Sequence, residues 1–453
     1  MPIITELADH HIMEAAWRHA CRAHATVSIV NAQLLDMPPA HPGTRTMTIA
    51  RGRIALVALL TTVAACSDRT ILPSAVEGGG PALQSEIAKT VPSATPSAAQ
   101  AAAGARWLMG YYAGYERSLY PEGTIDFSVL THIMLGAIEA TPSGGVTTDF
   151  WVDPVNGPIM ARTISTRAHQ AGRSAVLMLG GAGYRNALVA ATTPAIMPTF
   201  VANLISTMNS LGFDGIDVDW EPILPSDQVP LLDLVKRLRA AQPSMILTMP
   251  VGWVSSNTPT VDPWYATVAR ELDRMSVMTY GMADNWGGWV SWHQGALYGA
   301  GANHPSSVAT SARPYVLAGV PRKKLGIGLG FFGSCWSGVS TMLQPLGPSA
   351  RVIASDGAMS YVNIVSQYYS APAYRWDATA RAGYLSFAAP TGPKGCSMVS
   401  YEDPASVTEK GNALKAAGLG GAIIWTIGQG HFLGAPVGQQ DPLLTVAYNA
   451  IVP

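Results

Sequence analysis

The chain has 453 residues, 48% of them hydrophobic and only 13% charged, with 28 Lys and Arg against 29 Asp and Glu. That is ample apolar material for a large core, and it excludes a disordered or polyelectrolyte protein. A formal net charge of -1 argues against nucleic acid or an acidic membrane surface as partner and points to a neutral ligand. Twelve Trp and sixteen Tyr stand against eight Phe. Their flat faces with polar handles suit sugar rings, and ordinary core packing accounts for a share of them.

Residues 1–46 hold His10, His11, His19, His24 and His41 but no clean ligand spacing and no helix or strand punctuation. Residues 47–66 read as a signal: Met47, then Arg51 and Arg53, then an apolar run from Ile54 to Ala65 too short to span a bilayer. A signal belongs at an N-terminus, so translation is expected to begin at Met47, with 1–46 a non-native upstream extension. Val63-Ala64-Ala65-Cys66 resembles a bacterial lipobox, which would make Cys66 the lipidated first residue of the mature protein. The alternative is a plain secretory signal with a chance cysteine. By the same resemblance, Ser67 permits outer-membrane placement if the source has two membranes. Either way the protein is expected to be exported, extracellular or lipid-anchored at a bacterial cell envelope. Residues 67–105, rich in Ala, Ser, Pro, Thr and Gly, read as a flexible tether.

Beyond the tether, short apolar runs alternate with longer amphipathic ones. The expected strands are 107–113, 132–139, 174–181, 213–221, 245–251, 275–281, 324–331 and 421–426. Helical patterns cover 158–171, 193–211, 226–241, 264–273, 306–318 and 404–417. This alternation is that of an α/β protein, a (β/α)8 TIM barrel over 106–334 and 396–453, whose active site would lie at the C-terminal ends of the strands. The stretch 335–395 is too long for a loop and reads as a small α+β insertion between strands seven and eight that walls one side of the cleft. Cys335 and Cys396 flank it. In an exported protein they are a candidate disulfide at its neck, the alternative being two separate buried thiols.

The fourth strand carries the most informative segment, Asp214-Gly215-Ile216-Asp217-Val218-Asp219-Trp220-Glu221, which Pro222 ends. Side chains alternate along a strand, so Asp217, Asp219 and Glu221 share one face at steps of about 6.6 Å. Ile216, Val218 and Trp220 share the other. A row of like charges is costly to bury, which suggests that it is kept for acid–base chemistry at the lumen of the barrel. Asp214 falls outside the row and reads as structural.

The octapeptide resembles the Asp-Gly-x-Asp-x-Asp-x-Glu signature of glycoside hydrolase family 18, the chitinases and their relatives. The resemblance extends over most of 106–453, through Gly110-Tyr111-Tyr112, Met278-Thr279-Tyr280, Trp376-Asp377 with Tyr384, Tyr401-Glu402-Asp403-Pro404 with Ser406 and Lys410, and Gly418-Leu419-Gly420-Gly421 leading to Trp425. It implies hydrolysis of β-1,4 bonds between N-acetylglucosamine units with retention, the substrate's own acetamido group acting as nucleophile. By that resemblance Glu221 is the proton donor and then the base, Asp219 orients the acetamido N–H, and Asp217 shares a proton with Asp219. Tyr280 holds the acetamido carbonyl, Trp425 is the apolar floor under the sugar, Tyr111 supports the buried aspartate, and Met278 lines the same subsite.

Trp253, Trp286, Trp289, Trp292 and Trp336 are candidate sugar platforms or packing residues. The chain departs from the family where Met178 precedes Leu179-Gly180-Gly181 in place of a serine, and where Gly281 follows Tyr280 in place of an aspartate. Asp284 or Asn285 are candidates to substitute for the latter. No cofactor and no metal is expected, and the partners are chitin or chito-oligosaccharides met by a monomer.

Other readings rank lower. Carboxylate metal sites draw on loops and backbone carbonyls more than on a strand row. Gly328-x-Gly330-x-x-Gly333 mimics a dinucleotide fingerprint but lacks a following helix. A non-catalytic chitin-binding lectin on the same fold is countered by the presence of Glu221, and the chitobiose core of N-glycans is the runner-up substrate.

Overall fold

The computed structural model describes residues 106–453, so the expected upstream extension, the signal with Cys66 and the tether lie outside the described residues. In chain order the first half runs β1 (Trp107–Ala113), β2 (His132–Ala140), β3 (Val146–Thr147), α1 (Asn156–Gln170), β4 (Ser174–Ala182), α2 (Arg185–Ala191), α3 (Met197–Leu211) and β5 (Gly215–Glu221). It continues with α4 (Gln228–Ala241), β6 (Ile246–Val251), α5 (Trp264–Glu271), β7 (Arg274–Val277), α6 (Val308–Leu317) and β8 (Leu325–Gly330). Parallel pairing follows the order β1-β14-β8-β7-β6-β5-β4-β2, where β14 is Gly421–Trp425, and β1 pairs with β2 to close the barrel. This is the (β/α)8 barrel that the alternating pattern implies.

The barrel strands are near-continuous apolar runs because both faces are covered: helices pack outside and side chains fill the lumen. The outer helices show the expected end signals. Gly212 ends α3 in the left-handed conformation at φ 72°. Ser307 caps α6, its hydroxyl accepting from the Thr310 N–H. α8 (Pro404–Ala416) begins with Pro404 after the N-cap Asp403. Lys410 of α8 is fully buried against Glu402, which also accepts a hydrogen bond from the Ser406 hydroxyl at 2.8 Å. Burying that cation is tolerable because its carboxylate partner is buried with it.

Five strands are shorter than their expected runs, and in β5 and β7 the difference bears on the site. Phe213 and Asp214 precede β5, and β7 ends at Val277, so Met278 and Tyr280 sit in the turn above the barrel rather than in the strand. The stretch after β8 forms a second, antiparallel sheet of β9 (Gly333–Ser337), β10 (Arg351–Ala354), β11 (Tyr374–Asp377), β12 (Ala382–Thr391) and β13 (Cys396–Tyr401). Their order is β10-β9-β13-β12-β11, with α7 (Tyr361–Gln367) between β10 and β11. The sheet thus reaches beyond 335–395 on both sides. The last helix, α9 (Pro442–Ile451), packs near the start of the barrel.

Cys335 and Cys396 are joined by a disulfide with Cα atoms 5.2 Å apart, linking β9 to β13 where the insertion leaves the barrel. The bond closes a loop of 61 residues. The double variant Cys335→Ala/Cys396→Ala is expected to lose about 2–4 kcal/mol of unfolding free energy. Equilibrium denaturation under non-reducing conditions reads this, and an unchanged midpoint would refute a stabilising clasp.

Candidate active site

β5 splits its residues as period two requires. Ile216, Val218 and Trp220 are buried in the layer between barrel and helices. Asp217, Asp219 and Glu221 face the lumen, where Met109, Tyr111, Met134, Val176, Met178 and Ile423 form a separate apolar cluster. Asp214, outside the row, accepts from the Ala175 N–H at 2.8 Å and contacts His169 Nε2 at 2.9 Å, which makes it a structural link at the start of the strand.

Asp217 is held from two sides. The Tyr111 hydroxyl donates to Oδ2 at 2.7 Å and the Thr248 hydroxyl to Oδ1 at 2.5 Å. Burial pushes its carboxyl up to about 6, and the two hydroxyls oppose that rise. Strand register explains the donors: Asp217 lies between Met178 of β4 and Thr248 of β6. The hydroxyl missing at Met178 is thus supplied across the other strand neighbour. Sequence reasoning missed Thr248. Its only signal was a lone hydroxyl within the apolar run of β6, and its meaning depends on register.

Asp219 shares its hydrogen bond with Glu221 rather than with Asp217. Both carboxyls are raised, Asp219 well above the ordinary range, by burial first and then by the neighbouring carboxylates. The shared hydrogen bond raises Asp219 and lowers Glu221, so the two carboxyls hold one proton between them. Asp217 therefore acts here through its charge, since both of its oxygens are occupied. One oxygen of Asp219, Oδ1, is buried with no hydrogen-bond partner among the described residues.

Above the row stand the expected aromatic groups. Tyr280 is pushed well up by burial and by the charges of Glu221, Asp219 and Asp217, which places it against the row. A Cβ on Gly328 would lie 2.7 Å from the Tyr280 ring, and one on Gly330 would lie 2.9 Å from the Tyr280 Cβ. The glycine pattern that mimics a nucleotide fingerprint is thus a recess for Tyr280. Met278 and Trp425 are partly buried against the lumen cluster, and the Trp425 ring lies 5.5 Å from that of Tyr111.

Trp253, Trp286 and Trp289 form one partly exposed group, with ring centroids 4.7 to 6.3 Å apart. Trp336 does not belong with them. It is fully buried in the insertion's own core with Trp292, so neither offers a face to a sugar; their apolar area is spent on joining the insertion to the barrel. Gly281 is exposed and left-handed at φ 62°, which glycine adopts without strain, and its N–H donates to Gln294 Oε1 at 3.0 Å. Asp284 accepts from the backbone N–H groups of Asn285 and Val352, an attachment to the insertion. Among the described residues no group of three or more His, Cys, Asp or Glu could hold a metal ion.

Three carboxyls in a barrel mouth, one proton shared by the outer two and an unfilled acceptor beside them, define an acid–base site. The sequence model of glycosyl hydrolases family 18 matches residues 107–430, and the chain belongs to that family. The chain is 27% identical over 285 residues to an endochitinase of Manduca sexta, covering 55% of this chain and 49% of that protein. It is 25% identical over 313 residues to chitinase A1 of Niallia circulans, covering 62% and 44%. The chain thus spans about half the length of these curated relatives. In fold it resembles the Group IV chitinase of Ostrinia furnacalis, at TM-score 0.64 and 22% identity over 77% of this chain and 100% of that one. It also resembles a mutant Class V chitinase of Nicotiana tobaccum solved with NAG4, at TM-score 0.62 and 22% identity over 76% and 98%.

The upward shift of Asp217 has a sign for stability. A carboxyl whose folded value lies above its unfolded one favours the folded state most at pH below the unfolded value. For Asp217 that contribution is full below about 3.8 and is lost as pH rises through about 6. Wild-type protein is expected to lose up to about 3 kcal/mol from this group between pH 4 and pH 7. Asp217→Asn should flatten that part of the slope, and thermal melts across this range will measure it. An identical slope in the variant would contradict the assignment.

Proposed function

We propose that the chain hydrolyses β-1,4 bonds between N-acetylglucosamine units of chitin, with retention and with the substrate's acetamido group as nucleophile. The observation that carries this is Asp219: one oxygen hydrogen-bonds Glu221 and the other is a buried acceptor without a donor. A buried acceptor left empty costs stability and calls for a donor from a ligand. The N–H of a 2-acetamido group is such a donor, and it places the acetamido carbonyl where Tyr280 can hold it.

In the first step Glu221, having taken the proton shared with Asp219, gives it to the glycosidic oxygen. The C1–O bond breaks as the acetamido carbonyl oxygen bonds to C1. The oxazolinium so formed is positive, and anionic Asp219 beside it stabilises that charge. Trp425 lies under the distorted sugar. Water then attacks C1 on the face the leaving group left, Glu221 accepts its proton, and the ring of the oxazolinium reopens. Asp217, fixed by Tyr111 and Thr248, acts on Asp219 through its charge. The relatives called chitinases, and the fold neighbour solved with NAG4, support the same sugar class. Trp253, Trp286 and Trp289 extend the cleft as an aromatic wall for further sugars.

Glu221→Gln is expected to lower turnover of a chromogenic chito-oligosaccharide by about 10²–10⁴-fold while the oligosaccharide still binds. Turnover near the wild-type rate would sink the assignment, and binding without turnover in the wild type would favour a lectin.

We further propose that the mature protein is exported and lipidated on Cys66, with 67–105 as its tether. The support is the lipobox-like segment ending at Cys66; among the described residues no helix is long and apolar enough to cross a membrane. Metabolic labelling with palmitate should mark the wild type and not Cys66→Ser. Equal labelling of both would refute lipidation there.

A further inference from the structure

Beneath the proposed sugar floor lies a buried polar chain that the reaction scheme does not use. The Trp425 indole N–H donates to Asp356 Oδ1 at 3.3 Å. The Gln429 amide nitrogen donates to the same Oδ1 at 2.7 Å and to Glu116 Oε1 at 3.2 Å. The Thr426 hydroxyl donates to Glu116 Oε2 at 2.5 Å. Glu116, Thr426 and Gln429 are buried.

The four partners come from three places. Glu116 follows β1, Thr426 and Gln429 follow β14, and Asp356 belongs to the insertion between β10 and α7. Each is set by its surroundings. A Cβ on Gly428 would lie 2.6 Å from Glu116 Oε2, so the carboxyl packs against bare backbone. Asp356 has a left-handed backbone at φ 49°, a conformation that Asp tolerates better than most residues. The turn it begins is fastened by buried Met359 and by the Tyr361 N–H, which donates to the Phe331 carbonyl at 2.8 Å.

The electrostatics of the chain are unusual. Two carboxyls meet across one amide with no basic side chain contributing to either. Burial first, and then the charge of Asp356, push Glu116 up to about 7. Asp356 is raised by burial and held down by Gln429, Trp425 and the Gly357 N–H. The charge of Asp356 raises Glu116 while Glu116 does not raise Asp356, so Asp356, the carboxyl that touches the indole, is the first of the two to ionise.

We propose that Asp356, oriented by Gln429 and Glu116, is a positioning residue that fixes the plane of the Trp425 indole and lends it negative charge. The inference rests on reading Trp425 as the floor of the sugar site. An indole has two side-chain torsions, and an acceptor at its N–H locks the ring against rotation. A carboxylate at that N–H also enriches the ring face with electron density. Positive charge above an aromatic face is stabilised, and more so out of water. The floor would then contribute to the charged intermediate as well as to sugar packing. The arrangement also makes the insertion part of the catalytic mouth, since Asp356 is its contribution.

The test joins a spectroscopic and a kinetic readout on the full chain. The Trp425 indole resonance in a 15N-labelled sample is assigned by its loss in Trp425→Phe. Asp356→Ala and Gln429→Ala should shift that resonance. Asp356→Asn, which keeps the acceptor and removes the charge, should leave the ring in place. On chito-oligosaccharide, kcat is expected to fall about 3–10-fold in Asp356→Asn with KM nearly unchanged, and both kcat and KM should worsen in Asp356→Ala. An indole resonance unmoved in Asp356→Ala and Gln429→Ala overturns the positioning role. A shifted resonance with wild-type kinetics in Asp356→Asn overturns the electrostatic one. If the wild type itself fails to turn over, the functional reading falls, while the indole measurement still judges the network.

Discussion

Three carboxyls on one strand of a closed barrel cannot all be ionised in the dry lumen, and the surroundings of β5 answer that constraint. Asp217 receives two hydroxyl donors, from Tyr111 and Thr248. Asp219 and Glu221 divide one proton. No metal-binding cluster is present among the described residues to neutralise the row. Proton sharing is then the means by which the charge stays affordable, and it leaves a mobile proton at the mouth of the barrel. The same burial that destabilises the row prepares it for acid–base work.

The rest of the mouth is arranged around that row by register. β4 and β6 flank β5 and put Met178 on one side of Asp217 and Thr248 on the other. β8 contributes glycines so that Tyr280 can lie over the carboxyls. β14 ends with Trp425, and the segments after β1 and β14 meet Asp356 of the insertion beneath it. The insertion is closed on itself by the disulfide between β9 and β13, and it is tied to its surroundings by the Trp292 and Trp336 core and by the polar chain under Trp425.

The aromatic residues show how one residue type serves different ends. Trp253, Trp286 and Trp289 are partly exposed and form a wall. Trp336 and Trp292 are equally large yet wholly buried, where they join the insertion to the segment between β7 and α6. Trp425 does both kinds of work, with one edge fixed to Asp356 and one face toward the lumen. Composition signalled an excess of such rings but carried no information on which face each would present.

What the linear chain determined by itself was whatever depends on short-range periodicity. The two-residue spacing of Asp217, Asp219 and Glu221 dictated a shared face, and the alternation of apolar runs with amphipathic stretches dictated a (β/α)8 barrel. Both follow from backbone geometry that neighbours in sequence enforce. Tertiary structure decided what depends on distant segments. It chose Thr248 as the donor to Asp217, paired Asp219 with Glu221, and turned a nucleotide-like glycine pattern into a recess for Tyr280. It also sank Trp336 into a core and brought Asp356 to Trp425 across 69 residues. Such pairings are set by strand register and by where the insertion packs, and neither leaves a mark in local spacing.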